Sequence, residues 1–112
     1  MRRRYLITDD TGTDYGTLTY QPDSKAWQLE INPARTWDDT PLSLAIYIRQ
    51  GRYSLDARQS LAWVRDRLLP PNRQNINQIL RELKIPEYDE AALIEKTGGV
   101  SANDYLYLVE QP

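Results

Sequence analysis

Polar and apolar positions alternate most cleanly over residues 25–31, where Trp27, Leu29 and Ile31 are separated by Gln28 and Glu30. A period of two puts the three large side chains on one face of a strand and the polar ones on the other. Residues 4–8 form a β-branched and aromatic run that ends at Asp9-Asp10-Thr11-Gly12, a turn cluster. Residues 15–20 make another strand, closed by Gln21-Pro22-Asp23-Ser24. The pattern predicts a three-stranded antiparallel meander with one apolar face, which needs a cover.

The pattern then changes to helical spacing. Asp38-Asp39-Thr40-Pro41 supplies caps and a first-turn proline, Leu42, Ala45 and Ile46 are expected to share a core-facing side, and Gly51 is the stop. Ser54 or Asp56 starts a second helix with the stripe Ala57, Leu61, Val64 and Leu68, broken by Pro70-Pro71. Asn72 is expected to cap a third helix through Ile76, Ile79, Leu80 and Leu83, stopped by Pro86. Asp89 caps a fourth that runs to Lys96 and closes at Gly98-Gly99. The last segment, from Tyr105 to Val109, has strand composition. The expectation is an α+β fold: an N-terminal antiparallel sheet, the meander plus a C-terminal strand, covered by three or four short helices. The chain reads as a single domain over 1–112, strand-rich over 1–32, helical over 38–97 and closed by a strand over 104–110, without repeats or a linker.

Composition narrows the chemistry. There is no cysteine and no histidine, so disulfides, thiolate nucleophiles, imidazole bases and the commonest metal ligands are excluded. Phenylalanine is absent too, leaving three tryptophans and eight tyrosines as the aromatic mass, rings favoured at contact surfaces. A net charge of -2 with both signs interleaved favours neither nucleic-acid attraction nor its mimicry. No apolar run approaches the ~20 residues of a membrane span, and the residues behind Arg2-Arg3-Arg4 turn polar too soon for a signal peptide. A cytoplasmic chain is expected. The clusters Asp9-Asp10 with Asp14, and Asp38-Asp39, do not have calcium-loop spacing and read as solvated turns and caps. No catalytic residue, cofactor site or metal site is expected.

Two stretches carry a resemblance. The first is Leu61-x-Trp63-Val64-x-x-Arg67-x-Leu69-Pro70-x-Asn72-Arg73-x-x-Ile76-x-x-Ile79-Leu80; the second is Gly99-Val100-Ser101-x-Asn103-Asp104-x-Leu106-Tyr107-Leu108-Val109. Over about residues 55–109 the chain resembles the small domain that precedes the kinase lobes in bacterial HipA-like serine/threonine kinases. Leu106-Tyr107 stands where that family commonly has tyrosine-tryptophan. The resemblance implies an accessory domain that binds protein and catalyses nothing: a regulator or antitoxin-like partner of a HipA-like kinase. A phage-encoded inhibitor of a bacterial defence complex, of the anti-CRISPR type, fits the same composition.

For the interface, the sequence offers the arginines Arg58, Arg65, Arg67 and Arg73 and the tyrosines Tyr105 and Tyr107. On a sheet edge, Tyr105 and Tyr107 would project to one side and anchor a partner by strand addition, or build a homodimer. If the arginines converged with the N-terminal triplet they would form a patch able to hold phosphates, the basis of a nucleic-acid-binding alternative. Locally, Trp63 reads as core, Arg73 as bonded to a neighbouring carboxylate or carbonyl, and Ser101-x-x-Asp104 as a turn held by its own side chains.

Overall fold

The computed structural model describes residues 2–68, 70–101 and 104–112. Three strands come first, β1 (Arg3–Thr8), β2 (Gly16–Gln21) and β3 (Ala26–Ile31), then helices α1 (Leu42–Arg49), α2 (Ala57–Arg65), α3 (Ile76–Glu82) and α4 (Glu90–Thr97), and last strand β4 (Tyr107–Gln111). The sheet order is β3-β2-β1-β4 and every pairing is antiparallel. The α+β expectation holds: the meander folds on itself and the chain returns to place β4 beside β1.

Register explains the single wet face. Tyr5 pairs with Leu18 and Leu18 with Leu29, whereas Leu6 pairs with Thr17 and Thr17 with Glu30. Tyr5, Ile7, Leu18, Trp27, Leu29, Ile31 and Leu108 therefore point to the covered side, where they pack with Leu44 and Ile48 of α1, Trp63 and Val64 of α2, and Ala91 and Ile94 of α4. Helix α3 does not join that core. Its Leu80 packs with Ile85 and Leu93 in a smaller cluster flanked by Ile76, Leu83 and Tyr88. Among the described residues no helix is long and apolar enough to cross a membrane.

The helix boundaries follow the local chemistry. Asp56 closes a capping box with Gln59 at the start of α2, and Asp89 accepts from the N–H groups of Ala91 and Ala92 at the start of α4. Gly98 ends α4 in the left-handed conformation, with φ of 72°. Two caps differ from expectation. α3 begins at Ile76 behind Asn75, and Asn72 lies in the turn before it. Pro41 itself occupies the N-cap of α1 and its ring has no acceptor to cap the helix, while the Asp39 carboxylate accepts from Thr36 N and the Thr40 hydroxyl.

The buried side of α1 is also different. Leu44, Ala45 and Ile48 face the core, while Leu42 is 78% and Ile46 42% exposed. The helix is apolar or aromatic at every position except Ser43 and Arg49, so its period alone does not choose a face.

Candidate functional site

The two stretches that carry the resemblance meet in space, on one side chain. Helix α2 stops at Arg65, ahead of the proline pair, and the chain tightens so that Arg67 N–H donates to Val64 O at 3.1 Å. That turn sends the Arg67 side chain inward. Its Nε donates to Gly99 O at 2.7 Å, Nη1 to Asp104 Oδ2 at 2.9 Å, and Nη2 to Asp104 Oδ1 at 2.5 Å and Leu106 O at 3.1 Å. The guanidinium carbon stands 4.3 Å from the Trp63 ring centroid, a cation–π stack. Asp104 also accepts from Ser43 Oγ at 2.8 Å and from Leu106 N at 3.0 Å. One buried ion pair thus ties α1, the tail of α2 and the segment that leads into β4.

Both members of the pair are 3% exposed in their side chains. Burial pushes the Asp104 carboxyl up, but the Arg67 and Ser43 hydrogen bonds, the Arg67 charge and the Leu106 N–H outweigh it and hold it below its ordinary value. Asp9 is the second buried carboxylate. The Thr11 hydroxyl, the Tyr15 hydroxyl and the N–H groups of Thr11 and Thr13 hold it low against burial. Its partners are all internal, so Asp9 is a buried turn residue and not the solvated one expected, because the turn folds its own donors onto the carboxylate. Among the described residues no group of three acids gathers as a metal would require.

The lowered carboxyls set a pH response. A group whose folded pKa lies below its unfolded value adds stability above the unfolded value and loses it as pH falls through the folded one. Stability is expected to hold above the ordinary carboxyl value of 3.8 and to fall progressively below it. Urea midpoints at successively lower pH check this. The Asp104→Asn chain should show a shallower acid slope than the parent, and identical slopes would remove Asp104 from the account.

Above the ion pair lies a groove of about 380 Å³, lined by Leu42, Ser43, Ile46 and Tyr47 of α1, Trp63 of α2, and Asp66, Arg67, Ser101 and Asp104. One wall is apolar, and Leu42 and Ile46 continue it out to the solvent. The Trp63 indole Nε1 is buried and has no hydrogen-bond partner among the described residues. Such an unmet N–H typically costs about 1–3 kcal/mol. Asp66 is exposed, and among the described residues nothing pairs with its carboxylate. The arginines on either side of it are engaged, Arg65 with Glu90 at 3.1 Å and Arg67 with Asp104.

The residues expected at an interface are dispersed. Arg67 is buried and cannot meet a partner, because the inward turn commits all three of its nitrogens to internal acceptors. Arg65 is exposed but paired to Glu90 of α4, and Arg73 Nε donates to the Asn75 side-chain carbonyl at 3.1 Å. Arg58 is exposed on the first turn of α2. Arg3, from the N-terminal triplet, is bonded to Glu110 across β1 and β4 at 2.9 Å and 3.0 Å. Arg3, Arg65 and Arg67 therefore each answer a different carboxylate.

The tyrosines lean to one side, as alternate positions do, but toward the turn between β1 and β2. Tyr105 is exposed with its ring edge-on to Tyr15 at 6.3 Å, and the half-buried Tyr107 donates its hydroxyl to Asp9 O at 3.1 Å. β4 is an edge strand, yet Leu108 N–H is donated to Gly98 O at 2.8 Å and Leu106 O accepts from Arg67. The opposite edge is covered as well. Ile31 N–H bonds Tyr53 O at 2.6 Å, and Leu29 N–H bonds the buried Ser60 hydroxyl at 2.9 Å. A strand-adding partner therefore meets bonded groups along the β3 edge and, at β4, one N–H already engaged, that of Leu108.

Two groove residues, Leu42 and Ile46, were expected in the core, and Asp66 was not singled out in the sequence. A signal for Asp66 exists in its position between two arginines whose partners lie elsewhere in the chain. Leu69 and Asn103 of the resembling stretches lie outside the described residues. No protein family, curated protein or solved structure matches this chain.

Proposed function

We propose that this chain is a non-catalytic protein-binding module that regulates a HipA-like kinase, in the manner of an antitoxin. The observation that carries protein binding is the apolar surface left open around the groove. Leu42 and Ile46 stand exposed on α1 and line the groove together with Tyr47 and Trp63. Large apolar side chains grouped beside a concave site are what a partner covers. The kinase as partner rests on the resemblance of the two stretches, whose Trp63, Arg67, Gly99, Asp104 and Leu106 act together as a scaffold beneath that surface.

The test is direct. HipA-like kinase lobes prepared without their own N-terminal domain are mixed with this chain at about 10 μM each, a concentration at which a micromolar complex is mostly formed. Co-elution and a changed rate of kinase autophosphorylation are expected. Lack of a complex at tenfold higher concentration would overturn the kinase reading. Binding to a subunit of a defence complex in its place would move the assignment to a phage inhibitor.

A further inference from the structure

Resting on the protein-binding reading, we infer that the groove between α1 and α2 receives a partner segment that presents an apolar side chain next to a lysine or arginine. The apolar group sits between Leu42, Ile46 and Trp63, and the cation pairs with Asp66.

Charge selects the cation. Three ionised groups line the groove: Asp66, Arg67 and Asp104. Arg67 and Asp104 neutralise one another in a bidentate pair sealed from solvent, which leaves the groove with the single negative charge of Asp66. Arg65 does not compensate it, being turned to Glu90. An acidic segment or a nucleic-acid phosphate would meet that carboxylate and no available cation, since the Arg67 nitrogens already have acceptors. Opposite charges at a partly desolvated rim favour encounter and register.

Exposure selects a polypeptide over a small molecule. A ligand confined to the 380 Å³ groove would leave most of Leu42 in water, because that side chain is 78% exposed and continues the apolar wall outward. A segment of chain covers both the groove and its lip. Trp63, which lines the groove, also carries a buried Nε1 that has no acceptor among the described residues. A backbone carbonyl of the entering segment is the natural group to meet it once the side chains over it shift.

The experiment needs no kinase. A library of random displayed peptides is selected on the intact chain, and the enriched peptides are synthesised and titrated in solution. Enriched sequences should pair an apolar residue with a nearby Lys or Arg. Their binding should weaken about tenfold with Ile46→Asp, an anchor lost from the groove, and about fivefold with Asp66→Lys, an exposed pair lost. Replacing the peptide's Lys or Arg with Glu should restore binding to the Asp66→Lys chain. In parallel, the indole N–H resonance of Trp63, one of three tryptophans, should move on titration. Ile46 and Asp66 are exposed, so both variants keep the core intact. Four outcomes would overturn the inference: no enriched peptide, acidic enriched peptides, binding indifferent to both variants, or a homodimer that Ile46→Asp dissociates. A kinase complex insensitive to these variants would sink the groove assignment and leave the kinase reading standing; peptide binding without a kinase complex would do the reverse.

Discussion

Replacing Arg67 with alanine is expected to lower the unfolding free energy by about 3–5 kcal/mol, the cost of stranding a buried charge by removing its partner. The Asp104 carboxylate would remain buried with Ser43 Oγ and Leu106 N as its donors among the described residues, and the carbonyls of Gly99 and Leu106 would lose the Arg67 donor. The Trp63 ring would also lose the cation stacked at 4.3 Å. Chemical denaturation reads this directly. Arg65→Ala is the control, two positions away on the same chain turn. Its pair with Glu90 is 56% exposed on the arginine side, and exposed pairs contribute about 0–1 kcal/mol. A double-mutant cycle with Asp104→Ala should return a coupling within about 0.5–3 kcal/mol, as residues of one network do. Equal, small losses for Arg67→Ala and Arg65→Ala would mean that the ion pair does not hold α1, α2 and β4 together.

The contrast between these two arginines shows where the sequence was readable and where it was not. The strands were legible because a period of two needs only a few residues to declare itself, and β3 starts at Ala26 within a residue of the alternating run. Helix ends were legible where a side chain caps its own helix, as Asp56 and Asp89 do. Asn72 misled because the short turn behind the proline pair consumed the residues before Asn75. Arg65 and Arg67 look alike in sequence, yet one is exposed and the other buried. The difference lies in Asp104, Gly99 and Leu106, more than thirty residues away, and no local period reports such a partner. The same holds for Ser60, a plain helix residue until Leu29 N–H reaches it across the fold. The groove was hidden for the opposite reason. α1 is apolar nearly all round, so the sequence offered several core faces, and only packing against the sheet decided that Leu42 and Ile46 stay outside.

A substitution at Gly16 should be as damaging as that at Arg67, through the backbone rather than through charge. Gly16 opens β2 with φ of +149°, a conformation that side-chain-bearing residues rarely adopt. A Cβ there would run into the carbonyl oxygen of Glu30 and come within 3.0 Å of Ile31 Cα, both backbone atoms of the paired strand. No rotamer change relieves a clash with backbone, so β2 and β3 must separate at their Gly16–Ile31 end. That end is also where Tyr15 O accepts from Asn32 N at 3.0 Å and Ile31 N–H is held by Tyr53 O. Combining an unfavourable φ with lost pairing, Gly16→Ala is expected to cost about 3 kcal/mol or more. Gly12→Ala provides the comparison: its φ is +81°, but a Cβ there meets nothing within 4 Å. Only the strain of the left-handed backbone remains in that case, about 1–2 kcal/mol. Denaturation midpoints of the two variants, measured side by side, separate the terms. If Gly16→Ala were no worse than Gly12→Ala, the close approach of β2 to β3 would not be what requires glycine at the start of β2.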